Sequence, residues 1–217
     1  MRLFVTGTDT GVGKSVVTAC LAEAARARGT VVACKPVASG VDDGAGEDAT
    51  LLGEAAGHPP LVYATFRAPV SPHRASREEG RVVPVSILGE IRRLQADTVL
   101  VEGVGGWRVP ICLETGLWVE HLARATGGPV VVVAADRLGV LNHALLTVEA
   151  VRADGLEVAA VVLNGGAAPA DASRASNRSD LAELLGLPVL AVPTIDPRDR
   201  AARAAVGADL LSAIVRP

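Results

Sequence analysis

Short apolar, mostly β-branched runs recur along the chain at residues 3–5, 31–34, 98–101, 130–134, 158–163 and 189–192. Between them lie stretches with helical spacing of apolar positions, near 14–28, 48–56, 84–95, 118–126, 139–153, 176–185 and 198–214. Continuous apolar runs of this length suit strands buried on both faces, and strands alternating with helices build a parallel sheet. The pattern predicts an α/β fold with a mostly parallel central sheet flanked by helices on both faces. Residues 40–46, 64–81 and 165–173 are rich in glycine, proline or small residues and are expected as loops. No internal repeat and no second core is visible, so residues 1–217 are expected to form one domain. Ligands of such sheets bind beyond the carboxyl ends of the strands, so the residues just after each run are the ones to read.

Composition narrows the picture. Of 217 residues, 49% are hydrophobic and 21% charged, which excludes a disordered chain. Only 2% are aromatic, so the core has to be built from alanine, valine and leucine. A net charge of -3 gives no global attraction to nucleic acid or to an anionic membrane, and neither is expected as a partner. Cys20, Cys34 and Cys112 lie at no metal-like spacing, and two of them fall in apolar runs, as in a reduced cytoplasmic protein. The start lacks the pattern of a secretion signal, and no apolar run approaches the roughly 18 residues of a membrane span.

The strongest chemical signal follows the first run. Val5-Thr-Gly-Thr-Asp-Thr-Gly-Val-Gly-Lys-Ser15 carries a strand into a glycine-rich turn and then into a helix beginning Val16-Val17. Such a turn points successive backbone N–H groups inward at phosphate, lets Lys14 reach the outer phosphates and places the Ser15 hydroxyl for Mg²⁺. Counting back from Gly13 puts Thr8 where the usual motif has its first glycine, with Gly7 one place earlier, so the loop is a lengthened variant.

Other strand ends add to this. Pro36 stops the second strand, so Lys35 emerges at the same edge, either as a second ammonium for phosphate oxygens or as a lysine snorkelling to water. Asp48 reads as a helix N-cap or as a hard oxygen ligand for Mg²⁺. Glu102 ends the third run ahead of Gly103-Val104-Gly105-Gly106, and a cation explains a buried carboxylate there. Asn164, before Gly165, can donate and accept toward adenine or simply make an Asn-Gly turn.

With these residues in hand the chain resembles the dethiobiotin synthetase family. The likeness rests on residues 5–15, on Lys35-Pro-Val-Ala-Ser-Gly40, Ser71-Pro-His73, Val101-Glu-Gly-Val-Gly-Gly-Trp107 and Leu138-Gly-Val-Leu-Asn-His-Ala144. It implies a single-domain P-loop fold in which 7,8-diaminononanoate, CO₂ and ATP react, with Mg²⁺, to give dethiobiotin, ADP and phosphate. By the same resemblance, Lys14 and Lys35 would bracket the γ-phosphate and a carbamate, and Ser15, Asp48 and Glu102 would hold Mg²⁺. Gly11, Val12, Gly13, Val16, Gly103, Val104 and Gly105 would complete the ATP site. Asn164, Gly165, Val192, Pro193 and Thr194 would hold adenine, and Thr10 and Ser39 would orient the diamine. Family members are homodimers, so Leu138, Gly139 and Asn142 would catch the substrate carboxylate of the neighbouring subunit. Among the histidines, His73 is a candidate channel residue, whereas His58, His121 and His143 read as surface or structural. Two rivals share the phosphate loop. An amidating synthase would need a glutaminase domain for which there is no room, and a partitioning ATPase wants a basic patch or amphipathic tail that residues 198–217 do not offer.

Overall fold

The computed structural model describes residues 1–214, so 215–217, the end of the expected domain, lie outside it. β1 (Arg2–Gly7) turns into α1 (Lys14–Arg26), followed by β2 (Val31–Cys34), β3 (Val37–Ser39), α2 (Glu47–Ala56) and β4 (Ala64–Phe66). Next come α3 (Pro72–Glu78), α4 (Ile87–Arg93), β5 (Thr98–Gly106), β6 (Pro110–Cys112), β7 (Leu117–Trp118) and α5 (Val119–Thr126). The chain then runs through β8 (Val130–Ala135), α6 (Val140–Ala153), β9 (Val158–Asn164), α7 (Asn177–Leu185), β10 (Val189–Val192) and α8 (Arg200–Ile214).

Six strands form one sheet in the order β10-β9-β8-β1-β5-β2, with every pairing parallel. β1 lies between β5 and β8, and the chain builds outward from it in both directions. Its carboxyl end is therefore a topological switch point, where a crevice opens. Side chains of β1 alternate between two layers. Leu3 and Val5 pack with Val17, Leu21 and Leu211, while Phe4 points the other way toward Leu122 and Val148. The Phe4 ring meets Trp107 edge-on at 6.3 Å between centroids. Burying the Phe4 side chain contributes about 1.5–3 kcal/mol, typical of core aromatics and aliphatics.

Three expectations are corrected. The stretch 64–81, expected as loop, contains β4 and α3, and β4 pairs in parallel with β3 from Val37↔Ala64 to Ser39↔Phe66. Three-residue strands are too short for periodicity to reveal, and their ladder exists only through tertiary pairing. The third run does not stop at Val101: β5 continues to Gly106, which pairs with Gly7 past a register shift. The helix expected over 84–95 is confined to Ile87–Arg93. All three cysteines are free and buried, and burial pushes the Cys20 and Cys34 thiols up to about 12, so neither is a nucleophile at neutral pH. Among the described residues no helix is long and apolar enough to cross a membrane.

Candidate active site

The glycine turn after β1 delivers Lys14 as the first residue of α1. Gly13 precedes it at φ 91°, a left-handed conformation that favours glycine, and a Cβ there would lie 1.8 Å from Asn164 Nδ2. Any side chain at this position would push the turn off β9. The Lys14 side chain is 6% exposed, and its Nζ donates to the Asp9 carbonyl at 2.9 Å. Burial first, and the nearby Lys35 ammonium second, push Lys14 down to about 8.

Lys35 follows β2, where Pro36 ends the ladder and the Lys35 N–H goes instead to the Leu61 carbonyl at 3.0 Å. Its ammonium is buried against three acceptors: Glu102 Oε1 at 2.5 Å, Asp48 Oδ2 at 2.9 Å and the Gly103 carbonyl at 3.2 Å. Burial disfavours that charge, but Glu102 and Asp48 outweigh it and hold the amine above the ordinary lysine value. The snorkelling alternative is excluded. Burial opposes charge on Asp48 as well, yet Lys35 and Ser15 keep its carboxyl below the usual range.

Asp48 is not a cap. α2 begins at Glu47 behind Gly46, with no side-chain cap, so Asp48 lies in the first turn with its carboxylate on Lys35. Glu102 is wholly buried on β5. Its Oε1 accepts from Ser15 Oγ at 2.8 Å and from Lys35, and its Oε2 has no hydrogen-bond partner. An orphaned carboxylate oxygen beside a serine hydroxyl and a second carboxylate fits a hard divalent cation. Among the described residues no three His, Cys, Asp or Glu side chains cluster as a metal cage. Mg²⁺ needs none, because it takes one or two carboxylates and fills its shell with phosphate oxygens and water.

Thr10, Lys14, Ser15, Lys35, Ser39 and Asp48 line one cavity of 530 Å³, together with Gly11, Gly13, Val16, Val104 and Gly105. The chain contains only two lysines, and both are here. Sequence reading missed part of the wall. Pro69, Val70, Ser71, Pro72, Ala38 and Val109 also line the cavity, and the Ser71-Pro-His73 match was the one available signal for the first group. His73 is not in the wall, and its Nδ1 pairs with Ser71 Oγ at 3.0 Å.

The remaining candidates lie elsewhere. Asn164, at the end of β9, donates from Nδ2 to the Val12 carbonyl at 3.1 Å and accepts the Gly166 N–H at 3.0 Å. It thus makes a local turn and ties the phosphate loop to β9, two strands away. Thr194 lies against Gly166, and Val192 pairs with Asn164 across the ladder, so residues 192–194 are beside that tie. Leu138, Gly139 and Asn142 do not reach the lysine cavity. They sit where α6 begins, with Leu138 75% exposed, Asn142 exposed and the Leu138 N–H donated to Asp171 at 2.9 Å.

A central parallel strand that runs through a glycine turn into a buried lysine, facing a second lysine and two carboxylates, defines a P-loop nucleotide-binding protein. Residues 1–201 match the family model described as an AAA domain. A ParA family ATPase from Chlorobium tepidum shares the fold at a TM-score of 0.54 and 15% identity, covering 99% of this chain and 93% of that one. ATP-dependent dethiobiotin synthetase BioD of Pseudomonas aeruginosa is 42% identical over 216 residues, 93% of each protein. The BioD of Anaeromyxobacter dehalogenans is 42% identical over 223 residues, 99% of this chain and 98% of that relative. The chain belongs to the ATP-dependent dethiobiotin synthetase family.

Proposed function

We propose that the chain closes the ureido ring of dethiobiotin from 7,8-diaminononanoate and CO₂ at the expense of ATP. One amine adds to CO₂, losing a proton, to give a carbamate. A carbamate oxygen attacks the γ-phosphorus and ADP leaves. The second amine then attacks the carbonyl of the mixed anhydride, expelling phosphate and closing the ring. The observation that carries this reading is the convergence of both lysines on one cavity that also holds Thr10, Ser15, Ser39 and Asp48.

Lys14 and Lys35 are the charges that meet the phosphoryl oxygens and the carbamate, where negative charge builds in the transition state. Thr10 and Ser39 orient the diamine, whose alkyl chain lies on Val70, Val104 and Val109 of the cavity wall. Ser15, Asp48 and Glu102 would hold Mg²⁺, which neutralises phosphate charge when bound. Asn164 and residues 192–194 serve the adenine. The substrate carboxylate is caught across a homodimer by Leu138, Gly139 and Asn142, which are not part of the lysine cavity's wall. The protein works in the cytoplasm, with no nucleic acid or membrane as partner.

ATP turnover measured with and without the diamine and bicarbonate tests the proposal. ADP, phosphate and dethiobiotin should appear in equal amounts and only when all substrates are present. ATP hydrolysis indifferent to the diamine would refute it.

A further inference from the structure

The segment after β10 walls a second cavity and is braced from behind by a buried ion pair. That cavity, 990 Å³, shares Ser15, Val16 and Asp48 with the lysine cavity, and its far wall is Asp196, Pro197 and Arg198. A further cavity touching the phosphate turn measures 120 Å³. The larger of these has room for a nucleoside, reached from phosphates at Lys14 past the start of α1 toward residues 196–198.

Glu23, more than two turns along α1 from Ser15, is 5% exposed, and Arg203 of α8 is 4% exposed. Arg203 Nη2 donates to Glu23 Oε2 at 2.9 Å, while Nη1 donates to the Pro197 carbonyl at 2.6 Å. The other carboxylate oxygen of Glu23 accepts from Arg200 Nε at 2.8 Å. The loop carries hydrogen bonds of its own: Asp196 accepts the Arg198 N–H, and Asp199 caps α8 through the N–H groups of Ala201 and Ala202. Fixing the Pro197 carbonyl thus fixes the wall. Gly207, one turn further on, allows this approach, because a Cβ there would sit 1.9 Å from the Cys20 carbonyl of α1. A buried ion pair adds little net stability compared with apolar residues of equal volume, so stability alone does not account for it.

We propose that Glu23 and Arg203 are positioning residues for the nucleotide: through the Pro197 carbonyl they set the wall that receives the nucleoside, on the same helix whose first turn receives the phosphates. This rests on the phosphate reading of the Lys14 turn. The test compares ATP with inorganic triphosphate, which carries the phosphates without a nucleoside. In Arg203→Met, KM for ATP should rise about tenfold with kcat within about twofold, while calorimetric affinity for inorganic triphosphate stays unchanged. Arg203→Lys should recover part of the loss, and Glu23→Gln should show the same pattern more weakly. Glu23→Gln carries the comparison alone if Arg203→Met does not fold. Unchanged KM for ATP, or equal losses for ATP and inorganic triphosphate, would overturn the proposal. Failure of the unaltered chain to bind inorganic triphosphate would overturn the phosphate reading as well, a distinct result.

Discussion

Lys14 offers the sharpest test of the site's electrostatics, and pH is the perturbation. With the amine near 8, its protonated fraction falls from about nine-tenths at pH 7 to about one-tenth at pH 9. A triphosphate that needs the ammonium should lose about tenfold in affinity across that interval. Calorimetric titration with ATP at pH 7, 8 and 9 measures the loss directly. Because the chain has only Lys14 and Lys35, a sample labelled at lysine gives two side-chain signals, one of which should titrate near 8. Stability moves in a definite sense too. The folded value of Lys14 lies below the ordinary 10.5, so between pH 8 and 10.5 the unfolded chain holds more protons and stability rises with pH, by about 3 kcal/mol at most. Lys35, held above its ordinary value, contributes the opposite: stability lost as pH rises through its folded value. Flat ATP affinity from pH 7 to 9, with both lysine signals unmoved until above 10, would refute the account of Lys14.

Lys35→Ala should abolish dethiobiotin formation while ATP still binds. It should also lower stability by about 3–5 kcal/mol in a denaturant melt, because Glu102 is left buried without its cation; normal turnover would remove Lys35 from the mechanism. Glu102→Gln should shift the Mg²⁺ dependence of turnover to higher concentration, and an unmoved titration would count against the ligand role. Trp107→Phe removes the indole donor that meets Asp154 at 2.7 Å and should cost about 1–2 kcal/mol by urea unfolding, with activity retained. Acid should destabilise the fold: Asp48 and Glu23 are held below the usual carboxylate range, so their contribution is full above the unfolded value and is lost as pH falls through the folded ones. A melting temperature constant down to pH 3 would contradict both assignments.

The legibility of this site in the sequence depends on chain locality. Lys14 and Ser15 follow their glycines directly, and Lys35 and Glu102 each close an apolar run, so the sheet edge they share could be read before any coordinates. Asp48 could not be resolved, because acidic residues near a helix start look alike whether they cap it or, as here, sit inside its first turn behind Gly46 at φ 81°. The tie from Asn164 to the Val12 carbonyl spans 152 positions and leaves no periodic trace. β3 and β4 are similarly invisible, since neither is a strand without the other. Glu23 and Arg203 carry no motif that singles them out, and only the packing of α8 on α1 shows that they are enclosed.

The concentration of primary amines at one place has a practical corollary. Reagents that couple through lysine, whether to a sensor chip, a resin or a dye, find only Lys14 and Lys35, and both are enclosed in the candidate site. Such chemistry therefore has little to hold on this fold, and a tag is the sound way to tether it.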